Sequence, residues 1–174
     1  MPKLAAIIPA GGYSSRMGLF KPLLPVSSSS LVMEKPIRAF HDAGIDDIRV
    51  VLGHKAALLQ PLVERMGAAA VINDHYAQGM YSSVEAGVKT LGADIDAFFL
   101  LPADTPFVDA VTIKKIAASY EVGCEVVYPV CSGKRGHPPL LSTALCPFIL
   151  EGEIEGGLKE RLRCSVRHYK ELQV

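Results

Sequence analysis

Tryptophan is absent from the 174 residues, and the charges cancel, with 18 Lys and Arg against 18 Asp and Glu. A balanced chain has no bulk field to draw it to nucleic acid or to an anionic membrane, so neither is expected as a partner. No apolar run approaches the roughly 20 residues that a bilayer-spanning helix needs. The four cysteines, Cys124, Cys131, Cys146 and Cys164, form no CxxC pair. That removes the usual signatures of a zinc site or a redox dithiol and reads as reduced structural thiols in a cytoplasmic protein. The segment 1–9 is apolar but short, and it runs into glycines where a signal peptide would carry its cleavage site, so it reads as a first strand. The four serines from Ser27 to Ser30 read as a loop without chemistry. The chain shows no internal repeat and no interdomain linker, and a single domain is expected.

What is present is a globular composition, 49% hydrophobic and 21% charged. A chain of this length buries roughly 70% of the surface its unfolded form exposes. Apolar runs at 4–9, 48–52, 69–72, 97–101 and 125–130 predict strands, the first stopping at Ala10-Gly11-Gly12 as a strand buried on both faces does. Between them, 31–43, 55–66, 82–91 and 109–120 predict helices, the last with Val111, Ile113, Ile116 and Ala117 near one face and Asp109 as its cap. Strands alternating with helices imply βαβ units, hence an α/β fold with a mostly parallel sheet. Ligands of such folds bind at the carboxyl ends of the strands, so the loops at 10–21, 73–83 and 102–107 are where chemistry is expected.

Four segments carry it. In 10–25, Gly11 and Gly12 let the backbone approach a ligand and present N–H groups, while Arg16 and Lys21 add two cations. The combination suits a triphosphate, although neither GxGxxG nor the P-loop is present and glycines at a strand end also serve as plain turns. In 100–108, Asp104 follows a buried strand, where a carboxylate either caps a helix or offers a hard oxygen ligand to a nucleotide's Mg²⁺. Segment 73–83, with Gly79, Met80, Ser82 and Ser83, reads equally as a turn and helix cap. Segment 133–141 packs Lys134, Arg135, His137 and two prolines into a turn that a plain surface loop would also explain.

In this order the segments resemble the molybdenum-cofactor nucleotidyltransferases, the MobA and MocA-like group of the sugar-nucleotide-transferase-like superfamily. The likeness is carried by Gly12, Ser14, Arg16, Met17, Gly18, Lys21, Leu23, Leu24 and Pro25, by LPADxPFV at 101–108, by GMxxS at 79–83 and by GHPxL at 136–140. It implies a three-layer α/β/α, Rossmann-like nucleotidyltransferase domain with Mg²⁺ as cofactor. It further implies that Ala10, Gly11, Gly12, Ser14, Ser15, Gly79, Met80, Ser82 and Ser83 bind the nucleotide. Arg16 and Lys21 would act on the phosphates, Asp104 would be the metal ligand, and Arg135 and His137 would meet a phosphorylated acceptor such as molybdopterin. The base is CTP or GTP: Ala10-Gly11-Gly12 is the form usual with GTP, whereas the Gly79-Met80 and Gly136-His137-Pro138 segments favour CTP, which is preferred here.

The resemblance covers 4–141 and thins beyond. The further strand and second acidic metal ligand that the family usually adds find no counterpart in 142–174, so a shortened domain or part of a longer polypeptide is expected. Alternatives are a sugar- or polyol-phosphate nucleotidyltransferase and a non-catalytic module that binds nucleotide and regulates a partner.

Overall fold

The computed structural model describes residues 2–12, 20–27 and 30–174. Strand β1 (Leu4–Pro9) is buried along almost its whole length. A small hairpin of β2 (Pro25–Ser27) and β3 (Ser30–Leu31) follows, closed by the Ser27 and Ser30 hydroxyls at 2.7 Å. Helix α1 (Glu34–Asp42) therefore starts three residues later than the periodicity predicts, because Leu31 is committed to the hairpin and its N–H donates to the Glu34 carboxylate at 2.9 Å. Next come β4 (Asp47–Leu52), α2 (Ala56–Arg65), β5 (Ala69–Ile72), α3 (Met80–Val88) and β6 (Ala97–Leu100). Helix α4 (Ala110–Ala118) begins at Asp109, whose carboxylate accepts the Thr112 N–H at 2.7 Å as the sequence predicts. The chain ends with β7 (Val126–Cys131), β8 (Lys134–Arg135), β9 (Leu140–Ser142), α5 (Cys146–Leu150), α6 (Gly157–Ser165) and β10 (Tyr169–Gln173).

The main sheet runs β10-β7-β9-β6-β1-β4-β5, with β8 on the outer end of β7. All pairings along it are parallel except those of β9, which is antiparallel to both β6 and β7, and of β8. On one face, Ile37 and Phe40 of α1, Leu59 and Val63 of α2, and Ile113 and Ile116 of α4 pack on Ile8, Val50 and Phe99. On the other, Val84 and Val88 of α3, Ile149 of α5 and Leu162 of α6 pack on Ile7, Val51 and Phe98. Alternate residues of each strand thus feed opposite cores, and the three-layer α/β/α architecture follows. Gly87 lets α3 come down on the sheet, since a Cβ there would lie 2.5 Å from Ile7 Cγ2. Strand β10 was not anticipated: its alternation of exposed and half-buried residues is the pattern of an edge strand rather than of an apolar run. Among the described residues no helix is long and apolar enough to cross a membrane.

Candidate nucleotide and acceptor cleft

The carboxyl edge of the parallel strands gathers three loops into one surface. The Ala10 N–H donates to Val51 at 2.8 Å and the Ala103 N–H to Pro9 at 3.0 Å, so 10–12 and 102–104 leave neighbouring strands side by side. Gly11 accepts the His54 N–H at 3.3 Å, and a Cβ on Gly11 would come within 3.1 Å of Ser83 Oγ. Gly53 is tighter: a Cβ there would lie 2.4 Å from Tyr76 Cβ, so the 53–54 loop and the 73–79 loop nest only because residue 53 is glycine. Sequence reading passed over Gly53, although a glycine directly after the β4 apolar run was the signal available. Behind this surface Asn73 Nδ2 donates to Ser82 Oγ at 3.0 Å and to Ser83 Oγ at 3.1 Å, and Asn73 Oδ1 accepts the His75 N–H at 2.9 Å. The hydroxyls of Ser82 and Ser83 are buried and turned into that network. What the loop offers outward is Gly79, at φ 103°, and Met80, which is 61% exposed.

Lys21 and Asp104 face each other across the edge, Nζ to Oδ2 3.7 Å, with both side chains open to solvent. Lys21 heads a single 3-10 turn over Lys21–Leu23 whose Pro22 is buried, which fixes where the ammonium emerges. Asp104 does not cap α4, since Asp109 does that, and this removes the bland explanation of an acid after β6. A cavity of about 130 Å³ lies between them, lined also by Ala10, Gly12 and Met80. Arg16, Ser14 and Ser15 lie outside the described residues. Among the described residues no group of three or more His, Cys, Asp or Glu side chains is gathered to hold a metal by itself.

The small cavity shares Pro9, Met80 and Pro102 with a cleft of about 990 Å³ that runs on to Arg135, His137 and Tyr169. Lys134, Lys159 and Arg163 add positive charge to its wall, and Glu153 is the acid among the described lining residues. The 132–139 hairpin is brought over this cleft by Gly133, at φ 73°, and by the Gly136 N–H donating to Pro129 at 2.8 Å. Arg135 Nε donates to Glu171 Oε1 at 2.8 Å, and its guanidinium lies over two rings, 4.2 Å from the Tyr128 centroid and 4.6 Å from that of Tyr169. The bond to Glu171 raises the Arg135 pKa, so the group stays charged. Burial pushes the Tyr128 phenol upward against the opposing pull of Arg135, so that ring stays neutral. The structure therefore brings Lys21, Asp104, Gly12 and Met80 to one end of a continuous cleft and Arg135 and His137 to the other. Tyr128, Tyr169 and Glu171 were not foreseen, because strand pairing joins them across some forty residues of sequence.

Comparison with known proteins shows the family. The model of the MobA-like NTP transferase domain matches residues 6–172, and so continues well past residue 141, where the sequence likeness thins. The molybdenum cofactor cytidylyltransferase of Escherichia coli K12 is 29% identical over 143 residues, 82% of this chain and 71% of that protein. A probable molybdenum cofactor guanylyltransferase of Bacillus cytotoxicus is 28% identical over 81% of this chain and 68% of that protein. The structure of Rv0371C from Mycobacterium tuberculosis H37Rv in complex with manganese superposes with a TM-score of 0.79 at 19% identity, covering 99% of this chain and 88% of that one. With the fold, the loop order and the family match in agreement, the chain belongs to the MobA-like NTP transferase domain family and is a nucleotidyltransferase of that family.

Proposed function

We propose that the protein transfers a nucleoside monophosphate, CMP in preference to GMP, from the triphosphate to a phosphorylated acceptor such as molybdopterin, with release of pyrophosphate. The observation that carries this reading is the Lys21–Asp104 pair at 3.7 Å, set at the carboxyl edge and opening into a cleft large enough for a second substrate. An acceptor phosphate oxygen attacks the α-phosphorus, the α–β bridging bond breaks, and pyrophosphate departs with its electron pair. Nucleophile and leaving group are both ionised phosphates, so no side-chain nucleophile is needed and catalysis is positioning and charge stabilisation. Lys21 and Arg16 neutralise the charge that grows on the departing pyrophosphate, and the amides of Gly11 and Gly12 face the triphosphate from a loop whose base the Ala10 N–H ties to Val51. Gly79 and Met80 lie against the nucleoside, with Ser82 and Ser83 fixing their loop from behind.

The donor set fits Mg²⁺ carried in by the nucleotide rather than held by the protein, because Asp104 is the one carboxylate among the described residues that line the cavity. Ligated there by Asp104, the ion would supply positive charge that offsets that of the phosphates. Arg135 and His137 serve the acceptor. The preference for CTP rests on the Gly79-Met80 and Gly136-His137-Pro138 segments against the Ala-Gly-Gly form of the first loop, and the two curated relatives divide between the same two bases.

The test is a thermal-shift titration with CTP, GTP, ATP and UTP, with and without Mg²⁺, followed by pyrophosphate release with phosphorylated acceptors. A ligand at about 100 times its Kd adds roughly 2.7 kcal/mol of stability, a shift of several degrees for a domain this size. A metal-dependent shift greatest with CTP is expected; a greater shift with GTP would reverse the base preference, and no shift with any nucleotide would end the reading.

A further inference from the structure

We propose that Arg135 receives a second oxyanion of the acceptor, separate from the phosphate that reacts, and that Tyr128, Tyr169 and Glu171 hold its guanidinium ready for it. The inference rests on the transfer reading for there being an acceptor and narrows it to one with an oxyanion besides its reacting phosphate, which metal-free molybdopterin with its single phosphate lacks; its geometry is independent of that reading.

Arg135 is held on three sides. Its guanidinium carbon lies 4.2 Å from the ring centroid of Tyr128 on β7 and 4.6 Å from that of Tyr169 on β10, the two rings standing edge to face 6.1 Å apart as a corner, and Glu171, two residues along β10 from Tyr169, takes its Nε edge at 2.8 Å. The parallel register places Glu171 opposite Tyr128, so all three partners stand on the cleft side of the same strand pair. Among the described residues nothing bonds the two Nη groups, which form the other donor edge of the fork. A guanidinium seated in a corner of two aromatic rings with one edge presented is suited to bidentate capture of an oxyanion. A staple that served only to join two strands would not need a side chain 44% exposed at the wall of a 990 Å³ cleft.

The reacting phosphate is not the group it meets. In-line attack requires that phosphate to lie roughly 3 to 3.5 Å from the α-phosphorus, beside Asp104 at the end of β6. Strand β7 is two places from β6 in the sheet and β10 three. At roughly 4.8 Å per strand, the clasp sits on the order of 10 to 14 Å from the metal carboxylate. Arg135 is drawn further outward by Glu171. The cleft between is continuous from Pro102 to Tyr169, so one elongated acceptor can span it with an anionic group at either end.

The test follows the Arg135 side-chain resonance by nitrogen NMR while inorganic phosphate is added to the full chain loaded with CTP or GTP and Mg²⁺, so that the donor site is filled. A saturable shift is expected. Tyr169→Leu removes one ring face and should raise the half-saturating phosphate concentration about tenfold, while Tyr169→Phe, which keeps the face, should hold the wild-type value. An Arg135 resonance indifferent to phosphate in protein that binds nucleotide normally overturns the second-anion site and leaves the transfer reading standing. Equal weakening in the Leu and Phe variants overturns it too, since the ring face would then not be the cause. A phosphate response in protein that binds no nucleotide would remove the transfer reading and, with it, the acceptor's identity.

Discussion

Asp104→Ala separates a catalytic role from a structural one more sharply than any other single change. Its partner Lys21 is 3.7 Å away, and the two side chains are 57% and 34% exposed. At that distance in a water-like dielectric the attraction is about 1 kcal/mol, and side-chain entropy and salt reduce it further. Deleting the carboxylate should therefore change folding stability by less than about 1 kcal/mol, a melting shift of no more than about 2 to 4 °C in a domain this size. The same change should slow nucleotidyl transfer at least about 100-fold, equivalent to roughly 2.7 kcal/mol of transition-state stabilisation. Steady-state pyrophosphate release and a melting curve on the same preparation measure both. Near-normal turnover would remove Asp104 from the mechanism, and a turnover loss matched by a large fall in melting temperature would make it a structural residue.

Gly53→Ala should push Tyr76 off the β4 loop, because the new Cβ would overlap a ring anchor 2.4 Å away. A loss of about 1 to 3 kcal/mol in urea unfolding is expected, with weaker nucleotide binding. Asn73→Ala strips the partner from the His75 N–H and a donor from both serine hydroxyls in a buried site, and should cost roughly 1 to 3 kcal/mol by the same assay. Glu125 accepts the backbone N–H groups of His168 and Arg167, and these bonds, that of His168 foremost, lower its pKa from the ordinary 4.5. A depressed carboxyl stabilises the fold above its unfolded value and ceases to as pH falls through the folded one. Wild type should thus melt higher than Glu125→Gln at pH 7, and the two curves should converge below about pH 4; a constant gap across that range would refute the role assigned to the carboxylate.

The fold was legible because β1, β4, β5, β6 and β7 are apolar runs that need only be counted, and the helices between them leave few ways to connect them. β10 escaped because Tyr169, Glu171 and Gln173 point to solvent, and β9 because three residues are too few to show a period. Within the site, Gly11 and Asp104 could be found because strand ends are marked in sequence. The burial of Ser82 and Ser83 could not, since it depends on Asn73 reaching back from the preceding loop. The Tyr128–Arg135–Tyr169 cluster was invisible for a related reason: only the parallel register of β7 with β10 brings the two rings together beneath Arg135.

The reversed direction of β9 has a consequence for how this fold can diversify. Because the chain climbs β7 and descends β9, the 132–139 segment is a hairpin tip, anchored at its base by Val127 opposite Leu140 and free of crossover helices. Its length and composition can change without re-threading the sheet, whereas the 73–79 and 101–109 loops are each locked between a strand and a helix. Under the proposed transfer, transplanting hairpins of different length between β7 and β9 is thus the natural route to another acceptor without disturbing the loops proposed to hold the nucleotide.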